Sequence, residues 1–231
     1  MRALRCSAAP SSWTTWPPNL SAGPLEAWSM IQVKICGICD PAGAQAAIEA
    51  GADLIGFHFC PSERRVTPEE AKAIVDGLSL RPTIVGVFID QHPADVRSIA
   101  ELVGLDLIQL HGSEEPDFDV GRPLMKVLKV KNDQVPDASA WPDPIMLDSW
   151  SADQRGGTGR SWDWDLAREL LSTRKVFIAG GLEPGNVGKV VSEFKPYGVD
   201  VSSGVESAVR VKDPDKVRAF VHNVRLAEVL M

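Results

Sequence analysis

From residue 30 onward, short apolar runs rich in β-branched residues alternate with longer stretches in which apolar positions recur every three or four residues. Unbroken apolar runs of strand length predict strands buried on both faces, and the longer spacing predicts helices packed against them. The strand-like runs are IQVKIC (31–36), DLIGFHF (53–59), PTIVGVFI (82–89), LDLIQL (105–110), PLMKVLKV (123–130), PIMLD (144–148), KVFIAG (175–180) and GVDVSS (198–203). Between them lie PAGAQAAIEAGA, TPEEAKAIVDGL, a helix from His92 to Val103, a short helix near Glu114–Asp119 and a weakly patterned stretch near 132–140. A Gly-rich loop with DWDLARELL, then EPGNVGKVVSEF, and finally PDKVRAFVHNVRLAEVL complete the series. Thr67 is a helix N-cap, with Pro68 in the first helical position and Glu69 and Glu70 in the first turn.

Eight β-α units in succession at this length predict an α/β chain folded as a single-domain (βα)8 TIM barrel over residues 30–231. A doubly wound open sheet is the structural alternative, and the missing G-x-G-x-x-G after the first strand counts against its dinucleotide-binding form. Residues 1–29 hold three tryptophans and four prolines and show little periodicity. They lack the apolar core of a signal peptide. The segment is expected to be a disordered extension, or sequence upstream of a functional start at Met30, and is set aside for the fold.

Composition then narrows the class. A net charge of −7 over 231 residues argues against nucleic-acid binding, and no apolar run is long enough to span a bilayer. Four cysteines in a chain of this length do not form a disulfide framework, so a reducing, cytoplasmic setting is expected. In an acidic chain, an anionic ligand depends on backbone N–H groups and a few placed cations.

The active site of such a barrel lies at the C-terminal ends of the strands. Read in order, those ends carry Cys36, then Arg64 and Arg65, Asp90, Gln109 and His111, Asp148, Gly180 and Gly181, and Asp200 with Ser202, Ser203 and Gly204. Gly180-Gly181 lets backbone approach an anion without hindrance from a Cβ. Ser202-Ser203-Gly204 can open a short helix whose N–H groups point at it. Together with Asp200 these form the expected phosphate site. RGGTGR (155–160), containing Gly157, reads as a mobile lid and lacks the P-loop frame. A phosphate held after strands 7 and 8 puts the ligand body between Asp148 and Cys36, one acid and one base, with Arg64 or Arg65 available to fork a carboxylate. Lys34 shares a strand face with Cys36, where its cation favours thiolate or forms a salt bridge inside the barrel. Cys36-Gly37-Ile38-Cys39 lacks the further ligands a zinc site needs, and Cys36 ends a strand rather than opening a helix as a redox pair requires. Cys39 is read as a neighbour.

KICGI (34–38), GADLIGFHF (51–59), QLHG (109–112), LDSWSADQRGGTGRSWDW (147–164), AGGLEPGNV (179–187) and VDVSSGVE (199–206) resemble the phosphoribosylanthranilate isomerases of tryptophan biosynthesis. The resemblance runs in order from about Val33 to the C-terminus. It implies an intramolecular oxidoreductase (an aldose–ketose isomerase) without cofactor or metal. The implied partner is a small phosphoribosyl substrate, with neither nucleic acid nor membrane, and the implied state is monomer or homodimer. It implies an Amadori rearrangement in which Asp148 is the general acid and Cys36 the general base, so that Asp148 needs a raised pKa and Cys36 a lowered one. It further implies Arg64 at the substrate carboxylate, and Lys34, Gln109, His111 and Gly157 around the pocket. PSERRVTP is one residue shorter than the family pattern, so that Arg64 takes the family arginine's place and Arg65 an aromatic position. The alternatives are a TIM-barrel isomerase or lyase acting on a different phosphosugar, and a non-catalytic phosphosugar-binding barrel.

Overall fold

The computed structural model describes residues 30–131, 134–149 and 163–231. Eight parallel strands close into a barrel in sequence order. They are β1 (Gln32–Cys36), β2 (Leu54–His58), β3 (Thr83–Phe88), β4 (Leu107–Leu110), β5 (Leu124–Val130), β6 (Ile145–Ser149), β7 (Val176–Ile178) and β8 (Gly198–Val201). Closure is made by β1 against β8, with Lys34 opposite Asp200.

Outside the strands run α1 (Pro41–Ala50), α2 (Pro68–Asp76), α3 (Pro93–Val103), α4 (Arg168–Thr173), α5 (Pro184–Phe194) and α6 (Pro214–Val229). All but α4 begin with proline, whose fixed φ suits the first turn and whose missing N–H costs nothing there. The Thr67 cap expected from sequence forms, and Asp40 and Asp213 cap two further helices. Thr67 accepts from the Glu70 N–H while the Glu70 carboxylate accepts from the Thr67 N–H. Asp40 accepts from Gly43 N, and Asp213 accepts from the N–H groups of Asp215 and Lys216. Gly51 and Gly104 end α1 and α3 in the left-handed conformation, at φ 87° and 76°.

Strand parity sorts the side chains into two regions. Val33, Ile35, Ile55, Phe57, Ile84, Ile108, Leu147, Ile178 and Val199 join the main core with the apolar faces of the helices. Inside the barrel, Leu54, Val85, Leu107, Met125, Val127, Met146, Phe177, Ala179 and Tyr197 form a separate apolar cluster. Gly198 makes room for the Phe177 ring, which a Cβ at 198 would strike. This cluster is the floor beneath the polar residues at the strand ends.

One expected helix is absent. The Glu114–Asp119 stretch forms turns rather than a helix. The Glu114 carboxylate, 3% exposed, accepts from Asp90 N, Gly112 N and Lys126 Nζ, and Pro116 follows it. Those tertiary bonds hold the segment against helix formation. The described residues after β5 form no helix either. Instead, Ala138 and Trp141 are buried, and their carbonyls accept from Arg174. An element the sequence did not announce appears between β8 and α6: a small antiparallel hairpin of β9 (Glu206–Ala208) and β10 (Val211–Lys212).

Candidate active site

Cys36 ends β1 on the barrel's inner face, two residues beyond Lys34. Lys34 is fully buried, and its Nζ donates to Asp200 Oδ1 at 2.7 Å. Burial alone would lower the Lys34 pKa, but the Asp200 carboxylate and the Cys36 sulfur outweigh it and raise it, so the ammonium keeps its charge. Opposite Cys36 in the β1–β2 register stands Gly56. A Cβ there would lie 2.9 Å from Cys36 Sγ and 3.1 Å from Lys34 Nζ, so the thiol and the ammonium occupy the space left by the missing side chain.

The sequence reading asked for a depressed Cys36 pKa, and the structure corrects it. Burial pushes the thiol above its ordinary value, and the cations of Lys34 and Lys212 pull it back only in part. Cys39 is a free thiol whose Sγ donates to the carbonyls of Gly37 and Arg64, at 3.5 and 3.4 Å. The C-x-x-C spacing therefore joins an inward-facing side chain to one that braces two loops.

Asp148, near the end of β6, accepts from Lys129 Nζ at 2.5 Å. The two residues face each other in the β5–β6 register, and the pair is only partly shielded from solvent. Gln109 and His111 both point inward from β4, with the Gln109 amide nitrogen 2.5 Å from His111 Nε2. Burial, reinforced by Lys129, holds the His111 imidazole well below its ordinary pKa, so the ring is neutral. Gln109 is 1% exposed, yet its Oε1 has no hydrogen-bond partner among the described residues.

The glycine and serine loops after β7 and β8 lie side by side. Gly180 and Gly181 take φ of 84° and 71°, a conformation open to glycine and costly for other residues. The Asn186 amide, in the first turn of α5, donates to the Gly181 carbonyl and fixes that turn. Ser202 precedes a 3-10 turn over Ser203–Val205. At Gly204 a Cβ would collide with the Leu182 carbonyl, so the two loops pack backbone to backbone. Ser202 Oγ is buried and without a partner among the described residues. Asp200 was grouped with the anion ligands from sequence. Its Oδ1 accepts from Lys34 Nζ at 2.7 Å.

Arg64 also departs from expectation. Its Nε and Nη2 donate to Glu206 Oε1 and Oε2 at 2.7 and 2.6 Å, and the residue is 5% exposed. The two-pronged face proposed for a substrate carboxylate is thus occupied by Glu206. Lys212 Nζ completes the cluster, donating to Glu206 Oε1 at 3.0 Å and to the Ser202 carbonyl. The cluster ties the loop after β2 to the loop after β8, and Gly37 lets it close. A Cβ at Gly37 would lie 2.6 Å from Arg64 Cδ and 2.9 Å from Ser202 Oγ. Sequence reasoning missed Lys129, Glu206, Lys212 and His58. His58 and Lys129 already lie at the ends of apolar runs, but only the register shows which groups they meet, and only the hairpin brings Glu206 and Lys212 together. Gly157 and the lid proposed for 155–160 lie outside the described residues. Among the described residues no group of His, Cys, Asp or Glu side chains is arranged to hold a metal ion, and no helix is long and apolar enough to cross a membrane.

An apolar floor capped by buried lysine, carboxylates, thiol and imidazoles at the C-terminal ends of eight parallel strands defines the class: a (βα)8 barrel with its chemistry on the catalytic face. Residues 33–223 match the family described as N-(5'phosphoribosyl)anthranilate (PRA) isomerase. An N-(5'-phosphoribosyl)anthranilate isomerase of Desulforudis audaxviator is 43% identical over 204 residues, covering 86% of this chain and 100% of that protein. The crystal structure of the phosphoribosyl anthranilate isomerase of Thermus thermophilus superimposes with a TM-score of 0.77 at 36% identity, covering 85% of this chain and 99% of that one. A phosphoribosyl anthranilate isomerase in complex with reduced 1-(o-carboxyphenylamino)-1-deoxyribulose 5-phosphate superimposes with a TM-score of 0.73 at 32% identity, covering 85% and 99%. The chain belongs to the N-(5'-phosphoribosyl)anthranilate isomerase family.

Proposed function

We propose that this chain converts N-(5-phosphoribosyl)anthranilate to 1-(2-carboxyphenylamino)-1-deoxyribulose 5-phosphate, with Asp148 as general acid and Cys36 as general base. The observation that carries the residue roles is the arrangement of the strand ends. Asp148 on β6 and Cys36 on β1 flank the Gly180-Gly181 and Ser202-Ser203-Gly204 cradle borne by β7 and β8. A phosphate in that cradle sets the sugar between the two groups. The substrate class is that of the related barrel whose complex holds the reduced product analogue.

The proton inventory closes without a cofactor. As general acid, Asp148 delivers a proton to the furanose ring oxygen, and the Lys129 ammonium paired with it at 2.5 Å stabilises the carboxylate left behind. The C1–O bond breaks, and the anthranilate nitrogen lone pair forms the iminium. Cys36 thiolate then removes the C2 proton, and the C–H electron pair becomes the C1=C2 bond as the nitrogen regains its lone pair. Tautomerisation of the enolamine moves a proton from the C2 hydroxyl to C1 and leaves the ketone, and exchange with solvent then removes the proton from Cys36 and restores the one on Asp148 for the next turnover. Lys34 holds positive charge beside Cys36 throughout, with Asp200 fixing its ammonium. With the Arg64 fork engaged by Glu206, Arg64 serves the carboxylate end by shaping the loop after β2.

Complementation tests the reading. The gene should restore growth without tryptophan to a strain lacking this isomerase, and its Cys36→Ala and Asp148→Ala forms should not. Failure of the well-expressed wild-type gene would refute the activity. Growth with either variant equal to wild type would refute that residue's role.

A further inference from the structure

His58 ends β2 next to Cys36 and has no part in the mechanism above. Its Nε2 lies 3.3 Å from Cys36 Sγ, and its Nδ1 lies 2.9 Å from Ser62 Oγ. We propose that neutral His58 is a positioning residue that donates its Nε2–H to the Cys36 sulfur and stabilises the thiolate, with Ser62 fixing the tautomer. The proposal rests on Cys36 being the base.

We assign the tautomer from Ser62. Its Oγ accepts the Arg64 backbone N–H at 3.1 Å, and among the described residues the acceptor within reach of its own hydroxyl hydrogen is His58 Nδ1. A ring whose Nδ1 accepts carries its proton on Nε2, the nitrogen aimed at the sulfur. The ring stays neutral because it is buried and has cations about it. Burial first, then Lys34, Arg64 and Lys212, push its pKa down to about 3 against an opposing pull from Glu206. It therefore cannot take the Cys36 proton and form an imidazolium–thiolate pair. What it offers the sulfur is a hydrogen bond.

That bond answers the deficit already described. Cys36 faces Lys34 from its own strand, Asp200 from β8 and Lys212 from the hairpin, while Cys60 and Val87 pack beside it. His111 at the end of β4 and Arg64 after β2 face His58. Burial and Asp200 disfavour the thiolate, whereas Lys34 and Lys212 favour it. A second donor from β2 adds to the lysines. Gly56, two residues before His58, leaves the space in which Sγ and the Lys34 ammonium converge, and the His58 Nε2 reaches the same sulfur at 3.3 Å.

A hydrogen bond to a charged acceptor changes the Cys36 thiol pKa by about one to two units, a tenfold to hundredfold change in thiolate fraction below that pKa. The test is an ultraviolet titration of the thiolate in a chain whose other cysteines, Cys6, Cys39 and Cys60, are replaced by serine, with Cys36→Ala as the blank. His58→Leu should raise the Cys36 pKa by at least about one unit and move the ascending limb of the kcat–pH profile with it. His58→Gln, which keeps an N–H near the Nε2 position, should restore most of the shift. A His58→Leu pKa equal to or below that of the parent would overturn the proposal, since a nitrogen accepting from the thiol predicts a fall. So would a His58→Gln value no closer to the parent than His58→Leu. Turnover by Cys36→Ala is measured in parallel. Activity there would refute the base itself, while the titration still decides whether His58 bonds to the sulfur.

Discussion

A buried thiol is a poor base until something holds its anion. At Cys36 the neighbours are arranged for that purpose, and the residue that permits the arrangement has no side chain. Gly56 faces Cys36 across the register, and a Cβ there would stand 2.9 Å from the sulfur and 3.1 Å from Lys34 Nζ. Gly56→Ala should leave the barrel folded at a cost of about 1–3 kcal/mol, the usual penalty for one methyl too many in a packed site. It should also displace the thiol from its donors. A fall in kcat/KM of at least about tenfold, with circular dichroism unchanged, is the expected outcome. An alanine variant with wild-type kinetics would show that this crowding does not govern the base. Cys39, by contrast, spends its Sγ–H on the backbone carbonyls of two loops, so the paired spelling of the motif hides two unrelated residues.

Between elements, the loops after β2 and β8 are joined by a buried charge cluster rather than by apolar packing. Burial raises the Glu206 carboxyl, but the hydrogen bonds and charges of Arg64 and Lys212 outweigh it and hold the pKa below the ordinary range. A carboxylate whose folded pKa is depressed contributes stability that is complete above its unfolded value, near about 4.3, and is lost as pH falls through the folded value. Glu206→Gln strands two buried cations and should cost about 3–5 kcal/mol at neutral pH. The gap between wild type and variant in denaturant midpoint should then shrink as pH falls below about 4.3. A gap that stays constant down to pH 3 would show that Glu206 is not charged in the folded chain. Of this cluster only Arg64 was legible from sequence, and with a different carboxylate as its partner. Strands of three and two residues carry no periodicity, and Glu206 and Lys212 read as loop residues until the hairpin brings them together. The missing helix after β4 has the same origin. Its charged residues fit a helical spelling, but Glu114 is recruited by Asp90, Gly112 and Lys126.

For the whole molecule, the sequence was informative where one physical rule acts alone. A parallel strand covered on both sides must be apolar along its length, so the eight runs mark the barrel, and the polar residues ending them mark its catalytic face. Cys36, Asp148, the glycine pair and the serine pair were legible on that basis. The partners were not, because they depend on register. Lys129 meets Asp148, Asp200 meets Lys34 and His58 meets Cys36 only once neighbouring strands are aligned. The central claim is that two side chains on strands β1 and β6 carry the proton transfers of this isomerase. Its most direct test is kcat for N-(5-phosphoribosyl)anthranilate with purified wild type, Cys36→Ala and Asp148→Ala, each shown to be folded. The predicted result is brisk turnover by wild type and a loss of about 10²–10⁴-fold in each variant, with KM changed little. A variant whose kcat stays within about threefold of wild type, far inside that range, would contradict the assignment of its residue.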